Sequence, residues 1–384
     1  MVTEVKISRD ISRPVERELW ARAAGRCEFD GCNKVLYRSS VTNELVHTAQ
    51  KAHIYAFSEN GPRGRGPFKE DLNQLNDVSN LMLACHECHI KIDSTPERYP
   101  ADLLIEWKNK HEERVEIVTG IASNKKSHVV MYGANIGQES SPLIFHDCVA
   151  AMFPDWYPAN EQPVLLSMQS SLRDNSNAYW QAENAHLEEE FKSIIARYAK
   201  HDECKHFSVF ALAPQPLLIK LGSLLTDKLD VETFQPHREP KGWRWQPPSN
   251  HIEFIVNEPD YKSAQPVLLL SLSDNVDHAR VNSVMDQSAS IWEVTIDSPH
   301  NDFLQSKYQL MLFRQVIRKL MVDIKNHHGS TTTLHIFPVM PVACCVEFGR
   351  ARMPKADMDW IIYDHNPSQQ KFTQSILISG DSNG

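Results

Sequence analysis

Apolar positions change character about a third of the way along the chain. Up to residue 120 they come in short runs broken by cysteine, histidine and glycine. That stretch closes on PADLLIEWKNKHEERVEIV, where Leu103, Leu104, Trp107 and Val115 fall on one side and predict an amphipathic helix. Residues 121–140 mix polar residues and glycine with a short strand pattern, VVMYG. This predicts a boundary near 125, with that strand opening the next domain.

From there strand-length apolar runs alternate with helical periods. PVLLSM (163–168), HFSVFAL (206–212) and DVETFQP (230–236) read as strands; HLEEEFKSIIARYAKH (186–201) and PLLIKLGSLLTD (216–227) read as helices. The pattern then restarts. PVLLLSLS (266–273), IWEVTI (291–296) and TTLHIFPV (332–339) are strand-like, and 276–285, 302–328 and VACCVEFGRAR (342–352) helical. Strands alternating with helices predict parallel sheets covered on both faces. The two halves, about 123–255 and 256–384, look like a duplication, each with a strand that ends in a proline-containing turn and leads into a helix.

Composition narrows the class. Of 384 residues 41% are hydrophobic and 23% charged, ordinary for a globular chain and incompatible with global disorder. No run approaches the roughly 18 apolar residues of a membrane span. The start, MVTEVKISRDISRPVERE, is charged from residue 4 and lacks an apolar stretch, so no secretory leader is expected and the cytoplasm is the expected location. The net charge of −9 leaves nucleic-acid contact to a local patch.

Four of the eight cysteines stand in two tight pairs, Cys27/Cys32 and Cys85/Cys88. In a reducing compartment such pairs predict metal before disulfides, here a structural tetrahedral zinc site with one pair on each of two turns. Between the pairs runs KAHIYAF with His53, and the second pair lies in Asn80-Leu-Met-Leu-Ala-Cys85-His-Glu-Cys88-His89. On these features, in this order, residues 15–95 resemble the zinc-stabilised HNH endonucleases. The resemblance implies a ββα-metal module (α+β) in residues 1–122. It implies His53 as general base, Asn80 as the amide that orients it, and His89 as ligand to a catalytic divalent ion such as Mg2+. Many HNH enzymes carry a further metal ligand just before the base; here that place is Ala52, and His86, His47, Glu59 and Asp93 are the residues that could help. Arg63 and Arg65 in GPRGRG form a local basic patch, expected on the DNA backbone.

Residues 123–384 carry neither a dinucleotide fingerprint nor a phosphate-binding P-loop. Through ALAPQPLLIKLGSLLTDK (211–228), Trp243-Arg244-Trp245 and residues 334–364 they resemble the SAVED sensor domain of bacterial anti-phage CBASS systems. That implies an α/β domain of two fused CARF-like, Rossmann-like units binding a cyclic di- or trinucleotide. Ligands of open α/β sheets sit at strand C-terminal ends, which places Gln215, Ser271 and Ser273 among the candidates. Bases stack on aromatic rings and phosphates on cations. Trp180, Trp243, Trp245 and Arg238 join on those grounds, from wider pools of Trp156, Tyr157 and Trp292 and of Arg244, Arg350 and Lys220. Cys344 and Cys345 read as plain core. Together the resemblances imply a cyclic-nucleotide-activated, largely non-specific double-stranded DNA endonuclease. It would be a homo-oligomer, dimeric at rest and higher, such as a tetramer, when activated. The alternatives are a non-catalytic nucleotide sensor and a modification-dependent restriction enzyme.

Overall fold

In the computed structural model the chain divides into two units, Met1–Ala122 and Ser123–Gly384. The residues described are 9–39, 41–136, 143–166, 176–248, 252–260, 265–285, 289–366 and 369–380.

The first unit contains α1 (Arg13–Arg22), β1 (Ala49–His53), β2 (Leu81–Cys85), α2 (His86–Ser94) and α3 (Ala101–Gly120). β1 and β2 pair antiparallel, with Ala49 opposite Cys85 and His53 opposite Leu81. Every residue of β2 (LMLAC) is buried, because α1 packs on this strand and so does α2. Such a strand loses the alternation of a half-exposed one and reads as a continuous apolar run. β2 passes into α2 without a loop, so Cys85 caps the helix and Cys88 and His89 fall in its first turn and a half. Leu19, Leu36, Ile54, Met82, Ile92 and Leu104 belong to the core around this ββα hairpin. The helix predicted after Pro100 is α3, with Pro100 as its N-cap.

The second unit has two sheets and a shared core. Its first half contains β3 (Lys126–Gly133), α4 (Phe145–Met152), β4 (Tyr157–Pro158), β5 (Val164–Leu165), α5 (Asn177–Glu190), α6 (Ala196–His201), β6 (His206–Leu212), α7 (Gln215–Leu225), β7 (Asp230–Thr233) and the small hairpin β8 (His237–Arg238) with β9 (Lys241–Gly242). The strand order is β4-β3-β6-β7, with β5 also beside β3, all parallel. The second half contains β10 (Phe254–Asn257), β11 (Pro266–Ser271), α8 (His278–Asn282), β12 (Ser290–Ile296), α9 (Lys307–His328), β13 (Thr333–Val339), α10 (Val342–Arg350), β14 (Asp359–Asn366) and β15 (Lys371–Ile378). Its sheet runs β10-β12-β11-β13-β14-β15.

Alternation along the central strands distributes side chains to two faces. Val130, Tyr132, Val209, Leu268, Leu270 and Ile336 enter one common core with α5, α7, α9 and α10. The neighbours Val129, Met131 and Phe210 face α4, whereas Val267, Leu269 and Phe337 pack with Val281 of α8. The second sheet is mixed rather than parallel. Its four inner strands are parallel, but β10 and β15 pair antiparallel at the edges. Of the expected strand 163–168 only Val164–Leu165 is strand, and residues 167–168 lie outside the described residues. The long helix expected from 302 begins at Lys307, because Ser306 and Gln309 form a reciprocal capping box there.

The two halves meet at a helix crossing that repeats the same design. Pro214 caps α7 and Pro341 caps α10, and Gly222 follows the first proline at the spacing by which Gly349 follows the second. A Cβ on Gly222 would stand 2.0 Å from the Val346 carbonyl oxygen, and one on Gly349 2.0 Å from that of Ile219. Only glycine permits this approach. The crossing is reinforced by Thr233 Oγ1, which donates to Glu347 Oε1 at 2.8 Å, and by the Ala343 N–H, which donates to Gln235 Oε1 at 3.0 Å.

Burial lowers the pKa of His128, His237 and His335 in this unit, and brings His206, which stacks on Trp156 at 3.5 Å, down to about 4. A buried imidazole of this kind stays neutral where the unfolded chain, near 6.5, takes up a proton. Its stabilising contribution is complete above about pH 6.5 and is lost as the pH falls toward 4. The second unit is therefore expected to melt at a lower temperature at pH 5.5 than at pH 7.5, with about 1 kcal/mol lost through His206 alone. Calorimetry at the two pH values checks this; an unchanged or higher melting temperature at pH 5.5 would refute it.

Candidate functional site

The four sulfurs of Cys27, Cys32, Cys85 and Cys88 lie within 4.8 Å of one another. Cys32 Sγ and Cys85 Sγ are 3.9 Å apart. A tetrahedral zinc with Zn–S bonds of about 2.3 Å requires sulfurs about 3.8 Å apart, so the donor set fits that ion. Two local turns build the site. The first is closed by the Cys27 N–H donating to the Lys34 carbonyl and the Cys32 N–H donating to that of Phe29, both at 2.9 Å. The second is the β2–α2 junction, where the Cys85 N–H points at Cys27 Sγ at 3.2 Å. As thiols, Cys27 is pushed by burial up to about 12, while hydrogen bonds from Cys88, Cys32 and Cys27 overcome burial to lower Cys85. A divalent cation would replace the protons and hold all four as thiolates.

The same junction positions the histidines. His53 ends β1 and His89 stands on α2, so the hairpin carries one histidine and the helix the other. His89 Nε2 is 3.5 Å from Asp93 Oδ2, one helical turn on, and both side chains are about one-third exposed. These two are an imidazole and a carboxylate side by side on one face of α2. His47 instead lies edge-on to Trp20 at 5.8 Å, and Glu59 and His86 are exposed.

Two sequence expectations need correction. The Asn80 side chain makes its hydrogen bonds to groups other than His53. It is buried, its Oδ1 accepts from the Tyr55 N–H at 2.8 Å, and its Nδ2 donates to the carbonyls of Tyr55 and Leu75 at 3.1 and 2.9 Å. The polar partner of His53 is Asn76, whose Oδ1 is 2.9 Å from Nε2. Nothing in the sequence singles out Asn76 from its neighbours in the polar run DLNQLNDVSN. Second, Arg63 turns inward, its side chain 4% exposed. It donates to the carbonyls of Ile54, Ile92 and His53 and pairs with Asp93 at 2.9 Å. It therefore clamps the end of β1 to α2 and is not available to a DNA backbone. The glycines of GPRGRG serve the turn: Gly66 has φ +49°, and a Cβ there would strike the Tyr55 ring at 2.2 Å. Arg65 donates through Nε to Phe57 O at 3.3 Å and is half-buried. A cleft of about 840 Å3 opens beside Cys85, lined by Arg26, Lys34, Tyr37, Arg38 and His86 among others.

In the second unit the strand-end loops converge on Val339–Met340. The Leu272 and Ser273 N–H groups donate to Val339 O at 2.9 and 2.8 Å, and Met340 N–H donates to Gln215 Oε1 at 3.1 Å. Gln215 thus links the two halves through Met340, while Ser273 is held on the β13 end of the second half. The other candidates do not gather there. The Ser271 hydroxyl is buried and donates to Glu293 Oε1 at 2.6 Å. Trp180 is core, edge-on to Tyr179. Trp243 lies edge-on to Phe210 and, like Trp245, packs against the cluster on the α4 side, and Arg238 is exposed, 3.9 Å from Asp302. From the wider pools, Lys220 pairs with Glu188, Arg350 with Glu347 and three carbonyls, and Trp156 donates to Glu232. Cys344 and Cys345 are core.

The family described as SMODS-associated and fused to various effectors sensor domain (SAVED) matches residues 187–378, half of the chain. No curated protein matches. Among solved structures, an Acinetobacter baumannii Cap4 SAVED/CARF-domain containing receptor with the cyclic trinucleotide 2'3'3'-cAAA is similar at 10% identity and TM-score 0.43, over 76% of this chain and 64% of that one. The same receptor with 3'3'3'-cAAA gives 12% and 0.44, over 80% and 66%. A Moraxella osloensis Cap4 SAVED/CARF-domain containing receptor gives 8% and 0.40, over 76% and 60%. The chain spans less than two thirds of the length of these receptors. Among the described residues no helix is long and apolar enough to cross a membrane.

Proposed function

Because the chain belongs to the SAVED sensor-domain family, we propose that Ser123–Gly384 binds a cyclic oligonucleotide and that Met1–Ala122 is the effector it controls, a metal-dependent DNA endonuclease. For the effector, the observation that carries the reading is the hairpin-helix frame, in which the His53 strand, the Asn80–Cys85 segment and His89 meet beside four clustered thiols. For the sensor, it is the family match together with the hydrogen-bonded strand-end loops at Gln215, Ser273 and Met340.

In this reading His53 removes the proton from the attacking water, as a neutral imidazole can near pH 7. His89 and Asp93 would hold a divalent ion, whose chemistry when bound would be to stabilise charge on the scissile phosphate and the departing oxygen. Arg63 fixes the distance between β1 and α2 by bonding both. With Arg63 turned inward, phosphate contact falls to Arg65 and to the cations of the cleft, Lys34 and Arg38. A cut through both strands needs two such sites, so ligand binding is proposed to act by gathering chains into a higher oligomer. A ligand that favours the assembled state must bind that state more tightly.

Incubating supercoiled plasmid with the protein and Mg2+, with and without a panel of cyclic di- and trinucleotides, tests the proposal. Linearisation and degradation are expected only with a cognate cyclic nucleotide, accompanied by a rise in particle mass by light scattering. Binding without cleavage would instead indicate a non-catalytic sensor. Cleavage that depends on modified bases and ignores the nucleotide would indicate a restriction enzyme.

A further inference from the structure

The hydrogen bond from His53 to Asn76 has a chemical direction. A neutral imidazole carries one proton, and the nitrogen bearing it is set by the partner it meets. The partner here is an amide oxygen, Asn76 Oδ1, 2.9 Å from Nε2. An oxygen can only accept, so the proton belongs on Nε2, leaving the Nδ1 lone pair to take a proton from water. We propose that Asn76 is the positioning residue that holds His53 in this base-competent tautomer; the inference rests on the nuclease reading above.

The surroundings hold Asn76 in place for such a task. It ends the 3-10 turn Leu72–Asn76, whose start is capped by Asp71: Asp71 Oδ1 accepts from the Asn73 N–H at 3.1 Å and Oδ2 from Gln74 Nε2 at 2.9 Å. The Leu75 carbonyl, one residue before Asn76, accepts from Asn80 Nδ2. The same Asn80 amide holds both the N–H and the C=O of Tyr55, two residues beyond His53. Asn80 therefore ties the turn carrying Asn76 to the strand carrying His53, and Asn76 makes the final contact to the ring. The other neighbours of His53 do not compete for Nε2. Phe57 presents an apolar ring with centroids 6.0 Å apart, and Arg63, paired with Asp93, approaches the His53 carbonyl at 3.4 Å, not its ring.

The contact also gains strength in the direction catalysis needs. When Nδ1 accepts the water proton the ring becomes a cation, and the Nε2–H···Oδ1 bond becomes charge-assisted. An interaction stronger after proton transfer than before it lowers the barrier rather than merely binding substrate.

The experiment uses the full-length chain labelled with 15N-histidine. Long-range proton–nitrogen correlation spectra assign the tautomer of each neutral ring, and His53 is identified by the signal lost in His53→Gln. The expected result is the Nε2–H tautomer for His53 in the wild type and in Asn76→Asp, which keeps an accepting oxygen. In Asn76→Leu, which offers none, the Nδ1–H form should appear. With the activating nucleotide present, Asn76→Leu should lower kcat by about 10- to 100-fold with KM for DNA unchanged, and Asn76→Asp should recover most of it. A wild-type His53 in the Nδ1–H form overturns the proposal, as does Asn76→Leu with unaltered tautomer and kcat, or Asn76→Asp as slow as Asn76→Leu. If Asn76→Leu does not fold, the wild-type and Asn76→Asp spectra decide alone. The spectra need no turnover. The expected tautomers in a protein that cuts no DNA would count against the nuclease reading while leaving the hydrogen-bond assignment in place.

Discussion

His53→Ala is expected to remove DNA cutting to below about one-thousandth of the wild-type rate, within the span that a positioned general base contributes. The position makes this a clean experiment. His53 is the last residue of β1 and is only half-buried, whereas its neighbours Ala52 and Ile54 face the core. Its backbone carbonyl, on which Arg63 depends, survives the substitution, as does the antiparallel pairing with Leu81. Zinc content, circular dichroism and affinity for the cyclic nucleotide should therefore match the wild type while plasmid stays intact. Asn80→Ala would be a poor substitute, because the amide satisfies three backbone groups and its loss would loosen the loop as well as the site. A His53→Ala protein that degrades plasmid within tenfold of the wild-type rate would remove this histidine from the chemistry, and with it the proposed mechanism.

Features set by short-range spacing are legible in the sequence. The two cysteine pairs, the run from Asn80 to His89 and the proline-ended turns before α7 and α10 each sit within a few residues, and the fold converts that spacing directly into geometry. Roles that depend on which partner a side chain meets are not. Arg63 and Asn80 carry the chemistry expected of a phosphate contact and an orienting amide. Each is instead satisfied by backbone groups brought from elsewhere in the chain, Ile92 in one case and Tyr55 and Leu75 in the other. Asn76 gave no signal because its importance arises only when the 3-10 turn folds back onto β1. The edge strands of the second sheet were missed for a different reason. Residues Ile255–Asn257 of β10 are exposed and β15 alternates with solvent, so neither shows the apolar run that marked the central strands. The duplication was visible as a pattern of elements; the equivalence of Gly222 and Gly349 appears only where α7 and α10 touch.

Replacement of Cys88 by serine is expected to unfold the first unit and leave the second folded. The hairpin strands have only five residues each, and the two turns that supply the thiols are separated by some fifty residues of chain. A small unit of this kind has limited apolar surface to bury, and a structural zinc carries about 10–16 kcal/mol of apparent binding free energy in such modules, as much as the whole stability of a typical domain. Cys88 is the most exposed to this argument. It is buried on α2 one residue before His89, so losing the metal also releases the helix that holds His89 and Asp93. The second unit has its own core spanning both sheets and no part in the thiol cluster. Cys88→Ser should thus show one bound zinc fewer per chain by metal analysis, rapid proteolysis within Met1–Ala122, no DNA cutting, and undiminished nucleotide binding by Ser123–Gly384. Cys344→Ser, a buried thiol outside the cluster, is the matched control and should retain zinc. A soluble wild-type protein without zinc, or a Cys88→Ser variant that keeps a protease-resistant first unit, would show that the hairpin and helix stand without a metal. The frame that brings His53 and His89 together would then owe its stability to the apolar core around Leu19, Leu36, Ile54, Met82, Ile92 and Leu104.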